Sequence, residues 1–325
     1  GLAAISTSTA YARGYTGSGI TVSVLDSPFD TDHADLAAGL VTGFNAFDNS
    51  RSVNCPVNGC SSSHGTNVDG IIGARKNDTG THGVAHNVRI KPVKVFEHDL
   101  RFASNDQLVQ AINAGSGTAI TAMNNSWGSS KIDSITHNGN QRWYKRPYLN
   151  YADNSSSEYI WAYQGATALT GLPSDEISAW QNATQNTIIV FANGNDGLNT
   201  QTGQVQLYSD ATADTEAETI TNAGSAINQN IPSFRGSYPV IDSSLSGEWL
   251  TVIALDQNNQ IASFSNGCGI ARDFCIAAPG VGINAPIDVD DTTNTSDASY
   301  GLKNGTSMAA PHVTGALALL KQQFP

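Results

Sequence analysis

Apolar and polar positions follow two different periods along this chain of 325 residues. Residues 20–25 (Ile-Thr-Val-Ser-Val-Leu) have the pattern of a buried strand, which stops at Asp26. The apolar residues that follow His64 recur instead at helical spacing, at Val68, Ile71 and Ile72. Further strands are predicted at 88–95, 120–125, 187–192, 249–255 and 261–264, and a further helix at 105–114. This alternation predicts an α/β fold with a mostly parallel central sheet and helices on both faces.

Two polar stretches interrupt the alternation. The first, at about 129–186, is rich in aromatic residues and closes with a helix for which Ser174 is the predicted N-cap. The second, at about 198–247, is typical of loops. Because no repeat and no long linker divides the chain, we expect a single domain over residues 1–325 with two insertions.

The charge of the chain excludes some classes of partner. It carries 16 basic and 28 acidic side chains, a formal net charge of −12 at pH 7, and it has no cluster of Lys and Arg. Nucleic acids and anionic membranes need a dense basic surface, so we expect neither as a partner. No apolar run approaches the roughly 18 residues of a membrane span, and we expect none in this chain.

The four cysteines form two close pairs, Cys55 with Cys60 and Cys268 with Cys275. Neither pair has the two-residue gap of a zinc knuckle or a redox motif, so no metal site is predicted. Two small disulfide loops in an exported protein are the simplest interpretation. The sequence leaves three connectivities open, as well as the alternative of four reduced cysteines in a cytosolic protein.

Three reactive side chains lie where a strand or loop meets a helix. Asp26 ends the first strand, His64 begins a helix, and Ser307 begins the last one. A serine hydroxyl becomes a good nucleophile when a neutral imidazole accepts its proton, and a carboxylate then orients that imidazole and stabilises its charged form. The chain therefore has one candidate for each role, in the order Asp, His, Ser.

Four segments resemble the signature blocks of the subtilisin-like serine proteases, in the family's order: 24–27 (Val-Leu-Asp-Ser), 64–66 (His-Gly-Thr), 192–197 (Ala-Asn-Gly-Asn-Asp-Gly) and 305–312 (Gly-Thr-Ser-Met-Ala-Ala-Pro-His). The resemblance implies a subtilisin-like three-layer sandwich. It also implies that Asp26, His64 and Ser307 form the catalytic triad and that Asn195 supplies the side-chain donor of the oxyanion hole.

The same resemblance implies protein or peptide substrates. Ser126, Trp127 and Gly128 take the place of the family's substrate-binding strand, whose backbone pairs with an extended peptide. Trp127 either forms a hydrophobic wall there or packs inside the domain. No cofactor is expected for catalysis. Many family members bind Ca²⁺, but no ligands can be assigned, and we expect turn and cap chemistry from the acidic residues after Asp26: Asp30, Asp32 and Asp35.

Two later segments, 245–254 and 264–280, resemble the protease domains of bacterial subtilisin-like autotransporters, which have a paired-cysteine loop before an Ala-Pro-Gly turn. That resemblance implies a protein that is secreted or displayed on the bacterial cell surface, and an intact precursor with a C-terminal outer-membrane barrel. Only 18 residues follow Ser307, so the C-terminal part of the family domain is expected to be absent. We expect a monomer.

Two functions from different classes remain. The first is a serine endopeptidase in which Ser307 forms an acyl-enzyme and His64 acts as general base and then general acid. The second is an adhesin or binding module that uses the aromatic insertion around 143–163 and in which catalysis is secondary or lost. An α/β-hydrolase esterase is disfavoured, because its serine lies in Gly-x-Ser-x-Gly and its triad follows another order.

Overall fold

The computed structural model describes residues 1–54, 62–97, 101–128, 130–137, 140–147, 159–164, 173–195, 204–208, 216–220, 232–288 and 299–325. In chain order its strands are β1 (Thr21–Asp26), β2 (Phe44–Asn45), β3 (Arg89–Lys94), β4 (Ala122–Asn125), β5 (Ser130–His137), β6 (Asn140–Pro147), β7 (Tyr159–Gln164), β8 (Ile188–Ala192), β9 (Gln204–Tyr208), β10 (Glu216–Ile220), β11 (Trp249–Leu255), β12 (Cys275–Pro279), β13 (Ile283–Pro286) and β14 (Tyr300–Lys303).

The α-helices are α1 (Thr7–Ala12), α2 (His64–Gly73), α3 (Asn105–Gly115), α4 (Ser174–Ala183), α5 (Tyr238–Ile241) and α6 (Thr306–Gln323). Short 3-10 helices lie at Leu2–Ile5, Ala37–Gly39, Ser243–Leu245 and Gly269–Phe274. None of the described helices is both long and apolar enough to cross a membrane.

Seven strands form the central sheet in the order β12-β11-β8-β4-β1-β3-β2, and every neighbouring pair is parallel. Side chains of successive residues in a strand point to opposite faces. Leu25 accordingly enters a core with residues of α3 and α4, whereas Val24 enters a core with residues of α2 and α6. Helices therefore cover both faces of the sheet, and the predicted three-layer α/β fold is confirmed.

A second sheet lies within the predicted insertions. Its five strands run in the order β10-β9-β7-β6-β5, with β7 and β9 parallel and the other neighbouring pairs antiparallel. Strands β9 and β10 fall in the stretch that the sequence pattern assigns to loops. The remaining strands, β13 and β14, form a separate antiparallel hairpin that leads into α6.

Three local predictions differ from the structure. The stretch 198–247 contains strands and α5 as well as loops. The predicted strand at 261–264 is reduced to one bridge between Leu255 and Ile261, and Ile261 is exposed because the chain turns away from the sheet. The N-cap of α4 is Pro173, and Ser174 is the first helical residue.

A disulfide joins Cys268 to Cys275 and closes the loop that precedes β12. Segment 266–267 before this loop contacts the end of β8, because the Asn193 side chain donates to the Gly267 carbonyl at 2.7 Å. Cys55 and Cys60 lie outside the described residues.

Candidate active site

Three neighbouring strands of the central sheet end at one edge with polar residues. Asp26 is the last residue of β1, Ser126 follows β4, and Asn195 comes three residues after the end of β8. Because β8, β4 and β1 are adjacent and parallel, their carboxyl ends lie side by side. Helices α2 and α6 begin at His64 and Thr306, so they bring His64 and Ser307 to this edge through the contacts described below.

His64 is held by the Asp26 carboxylate at the end of β1. Its Nδ1 lies 2.7 Å from Oδ1 of Asp26, which also accepts a 2.7 Å hydrogen bond from the Ser27 N–H. The Ser27 hydroxyl in turn accepts a 2.9 Å bond from the Gly65 N–H, so the first turn of α2 is fixed to the end of β1. Only glycine allows this approach at position 65, since a Cβ there would lie 2.6 Å from the Ser27 carbonyl oxygen.

The net effect of this environment is a raised His64 pKa. Burial alone lowers the pKa of the imidazole, but the charge and the hydrogen bond of Asp26 outweigh burial. The positive charge of Lys303, at the end of β14, acts in the opposite direction and lowers the pKa. The His64 side chain is 29% exposed whereas that of Asp26 is 2% exposed, so the imidazole faces solvent and its carboxylate partner does not.

Ser307 lies in the first turn of α6 and forms a reciprocal pair with Ser126. The Ser307 hydroxyl donates to the Ser126 carbonyl oxygen at 2.9 Å, and the Ser126 hydroxyl donates to the Ser307 carbonyl oxygen at 2.9 Å. Pro311 makes the second bond available, because it has no N–H to donate to the carbonyl four residues earlier in the helix. Within the described residues, no hydrogen bond joins Oγ of Ser307 to His64, and such bonds often form only when substrate is present.

Asn195 is oriented by the residue that precedes Ser307. Its Oδ1 accepts hydrogen bonds from the Thr306 N–H at 2.8 Å and from the Thr306 hydroxyl at 2.9 Å. The same hydroxyl accepts a 3.0 Å bond from the Gly194 N–H. Since the amide oxygen is occupied on the Thr306 side, the NH₂ group of Asn195 is directed away from Thr306 and is set as a donor.

The segment after β4 presents its backbone rather than its aromatic ring. The Trp127 side chain is 9% exposed, packs against Phe102 and Phe191, and donates from Nε1 to the Leu25 carbonyl at 2.9 Å. Trp127 therefore packs inside the domain, which is the second of the two positions considered from the sequence. Gly128, in contrast, is exposed.

Two of the acidic residues after β1 accept hydrogen bonds within the protein, Asp30 from the local chain and Asp35 from residues distant in sequence. Oδ1 of Asp30 accepts from the backbone N–H groups of Asp32 and His33, and the Asp35 carboxylate accepts from Asn77 and from the Tyr300 hydroxyl. Among the residues that the structure describes, no group of three or more His, Cys, Asp or Glu side chains could hold a metal ion.

The decisive comparison is with protein families. The sequence profile described as the subtilase family, peptidase S8, matches residues 17–325. The chain belongs to the subtilase family. The family is that of the subtilisin-like serine proteases, as the resemblance implied.

Individual subtilases match the chain over nearly its whole length. Two proteins named extracellular serine protease, from Serratia marcescens, are each 29% identical to it over 100% of the chain, which spans only 30% of their length. Subtilisin DY of Bacillus licheniformis is 28% identical over 97% of the chain and 81% of that protein.

A solved structure shares the fold. It is that of fervidolysin from Fervidobacterium pennivorans, described as a keratinolytic enzyme related to subtilisin, and it matches with a TM-score of 0.61 and 22% identity over 98% of this chain and 38% of that one.

Several residues in or near the site were not singled out from the sequence. Thr306 and Lys303 lie close to Ser307 in the chain, but their partners are distant in sequence. Asp69 could have been noticed in the sequence, because it is an acidic residue inside the apolar stripe of α2. In the structure its carboxylate is fully buried.

Proposed function

We propose that this subtilase domain is an endopeptidase that cleaves proteins or peptides with Asp26, His64 and Ser307 as its triad and Asn195 in its oxyanion hole. The observation that carries the proposal is the 2.7 Å contact between Nδ1 of His64 and the buried Asp26 carboxylate, at the sheet edge where α6 presents Ser307. A carboxylate in this position fixes the imidazole with its proton on Nδ1 and leaves Nε2 as the base.

Substrate binding would use the backbone of residues 126–128. An extended peptide pairs with main-chain groups, so many sequences can bind in the same register. The exposed backbone at Gly128 supports this role, and the buried Trp127 holds the segment against the core. When the substrate binds, the Ser307 hydroxyl exchanges its bond to the Ser126 carbonyl for one to Nε2 of His64.

In the first chemical step, Oγ of Ser307 attacks the scissile carbonyl carbon and its proton passes to Nε2 of His64. The carbonyl oxygen then carries a negative charge. The Asn195 NH₂ group, oriented by Thr306, donates to that oxygen, and the positive end of the α6 dipole adds to its stabilisation. Asp26 stabilises the imidazolium that has formed.

The remaining steps return the enzyme to its starting state. His64 gives its proton to the leaving nitrogen, the carbon–nitrogen bond breaks, and the amine departs. The acyl group stays on Ser307 until a water molecule, deprotonated by His64, attacks the ester carbonyl. Ser307 recovers its proton from His64 as the acid product leaves.

We also propose that the protein works outside the cytoplasm. The names of the two Serratia relatives describe them as extracellular, and the bond between Cys268 and Cys275 is of a kind that persists in oxidising compartments.

Hydrolysis of casein and of a peptide library by the purified chain tests the endopeptidase proposal. We expect cleavage that is lost in Ser307→Ala and in His64→Ala, while Ser178→Ala, which changes an exposed helical serine, retains it. Circular dichroism establishes that each variant is folded. A folded wild-type chain that cleaves nothing would contradict the proposal and favour the binding module.

A further inference from the structure

Asp69 is a fully buried acid in the middle of α2. The apolar residues around it in this helix, Val68, Ile71 and Ile72, pack in the core, and the Asp69 side chain is as inaccessible as they are. Within the described part of the chain, neither Oδ1 nor Oδ2 of Asp69 has a hydrogen-bond partner. An ionised carboxylate is very unfavourable in such a place, so the group keeps its proton and has one hydrogen bond to donate.

The geometry of α2 directs this acid towards the end of β1. Gly65 touches the chain just after Asp26, since its N–H donates to Oγ of Ser27. Asp69 follows Gly65 by four residues and therefore lies on the same helix face. The Cα–Cβ bond in a helix tilts towards the N-terminus, so the Asp69 carboxyl extends back over Gly65, which has no side chain to block it.

Among the residues that the structure describes, Asp26 lacks a hydrogen-bond donor to one of its carboxylate oxygens. Its Oδ1 accepts from His64 and from Ser27, but its Oδ2 is buried and has no partner among the described residues. A carboxylate oxygen without a donor is a costly feature in a protein interior. A buried carboxylic acid without an acceptor thus lies one helical turn beyond the contact that fixes α2 to this strand.

The ionisable side chains near α2 bear on the protonation of Asp69. Helix α2 itself carries His64. The elements packed against α2 carry the following ionisable side chains: Asp26 on β1, Arg89, Lys91 and Lys94 on β3, and His312 and Lys321 on α6, while β13 has none. Burial raises the pKa of Asp69 well above its usual value, and the negative charge of Asp26 raises it further. Within the described part of the chain, Asp26 is the one charged neighbour that acts on this pKa.

We propose that Asp69 is a positioning residue for Asp26, and that its protonated carboxyl donates a hydrogen bond, directly or through one buried water, to Oδ2 of Asp26. The inference rests on the proposed function, in which Asp26 orients His64. With both oxygens engaged, the Asp26 carboxylate has one orientation, and the donor on Oδ2 disperses part of the negative charge that attracts the His64 imidazolium.

Infrared difference spectroscopy tests the protonation state without any need for activity. The spectrum of the wild-type chain minus that of Asp69→Asn at pH 7 is expected to contain the carbonyl stretch of a protonated carboxylic acid. Asp175→Asn is the matched control, because hydrogen bonding from Asn105 lowers the pKa of that exposed carboxyl and its difference band is that of a carboxylate. A carboxylate band for Asp69 would overturn the proposal.

The pH profile of peptide hydrolysis tests the positioning role. In Asp69→Asn the amide NH₂ replaces the hydroxyl donor, so we expect kcat within about threefold of wild type and an unchanged acid limb of kcat/KM. In Asp69→Ala the donor is lost. We expect kcat to fall about tenfold with little change in KM, and the acid limb to move to higher pH as Asp26 attracts the imidazolium more strongly.

Two results would contradict that role. An acid limb that moves to lower pH in both variants would mean that each removes a negative charge, so Asp69 is ionised. Wild-type kinetics in Asp69→Ala would mean that no interaction exists. A wild-type chain that hydrolyses nothing removes the proposed function instead, and the infrared measurement still decides whether Asp69 holds a proton. The infrared measurement, which uses Asp69→Asn, also decides the protonation state if Asp69→Ala fails to fold.

Discussion

Ser126 and Ser307 each donate their hydroxyl to the other's backbone carbonyl, at 2.9 Å in both directions, although 181 residues separate them. One bond joins the end of β4 to the first turn of α6, and the other holds the proposed nucleophile on the strand where substrate would bind. Asn124 donates to the Ser126 hydroxyl at 2.9 Å, so the pair is part of a buried polar chain.

Removal of the Ser126 hydroxyl tests its hydrogen bond to the Ser307 carbonyl oxygen. In Ser126→Ala the Ser307 carbonyl loses its side-chain donor and Pro311 cannot replace it, so we expect the free energy of unfolding to fall by about 1 kcal/mol. Chemical denaturation measures the change. Ser178→Ala, at an exposed helical site, should alter stability much less. Equal losses in the two variants would contradict a specific role for the bond.

Asn195 is expected to act mainly on turnover. In Asn195→Ala the donor to the developing oxyanion is lost, so kcat should fall with little change in KM; the expected size, about 10²–10³-fold, is borrowed from the loss known for such a donor in a subtilisin. Steady-state kinetics with a peptide substrate measure both constants. The exposed Asn87 provides a control in Asn87→Ala. A large rise in KM with unchanged kcat would show that Asn195 binds the ground state instead.

Lys303 should set part of the acid limb of the pH profile. Its positive charge lowers the pKa of His64, and catalysis requires the neutral imidazole. In Lys303→Met the pKa of His64 therefore rises, and the acid limb of kcat/KM moves to higher pH. Lys76→Met is the control, because Lys76 acts on His86. A shift to lower pH in Lys303→Met would be inconsistent with this electrostatic arrangement.

Asp30 should make the folded state less stable as the pH rises. Burial and hydrogen bonding with the Asp32 carboxyl raise the pKa of Asp30 to about 7, so the folded chain holds a proton that the unfolded chain releases at lower pH. Stability then falls between roughly pH 4 and 7. Asp30→Asn removes this decline and keeps an amide oxygen for the two N–H donors.

The measurement is the free energy of unfolding at pH 5 and pH 8. We expect a smaller decrease between these values in Asp30→Asn than in wild type. Hydrogen bonds from Ser50 lower the pKa of Asp48, so its stabilising effect is already complete at pH 5. Asp48→Asn should therefore keep the wild-type difference, and the same difference in Asp30→Asn would argue against the assignment.

The central strands could be predicted from the sequence because both of their faces are buried. Strand β8 is then apolar throughout, β1 combines apolar with small polar residues that are mostly buried, and α2 shows a clear stripe after His64. Strands β9 and β10 lie outside the central sheet and lack such a run, so their residues had the composition of loops. The pattern of apolar residues in the sequence reflects burial in the central sheet. It therefore does not predict strands that lie outside that sheet.

In the proposed site, too, some residues could be predicted from the sequence and others could not. Asp26, His64 and Ser307 could be found because their chemistry depends on residue type and on a place beside a helix start. The Ser126 to Ser307 pair could not be found, since it depends on a helix and a strand that meet only in the fold. Asp69 interrupts an apolar stripe, but the partner that we propose for it, Asp26, could be identified only from the packing of α2 against β1.

Labelling with a fluorophosphonate probe tests most directly whether the triad is assembled. The probe requires an activated serine, so the account predicts that the wild-type chain is labelled at Ser307, as located by mass spectrometry of its peptides. Labelling should vanish in Ser307→Ala and His64→Ala and persist in Ser178→Ala. A folded wild-type chain that stays unlabelled, or that is labelled at another serine, would contradict the account.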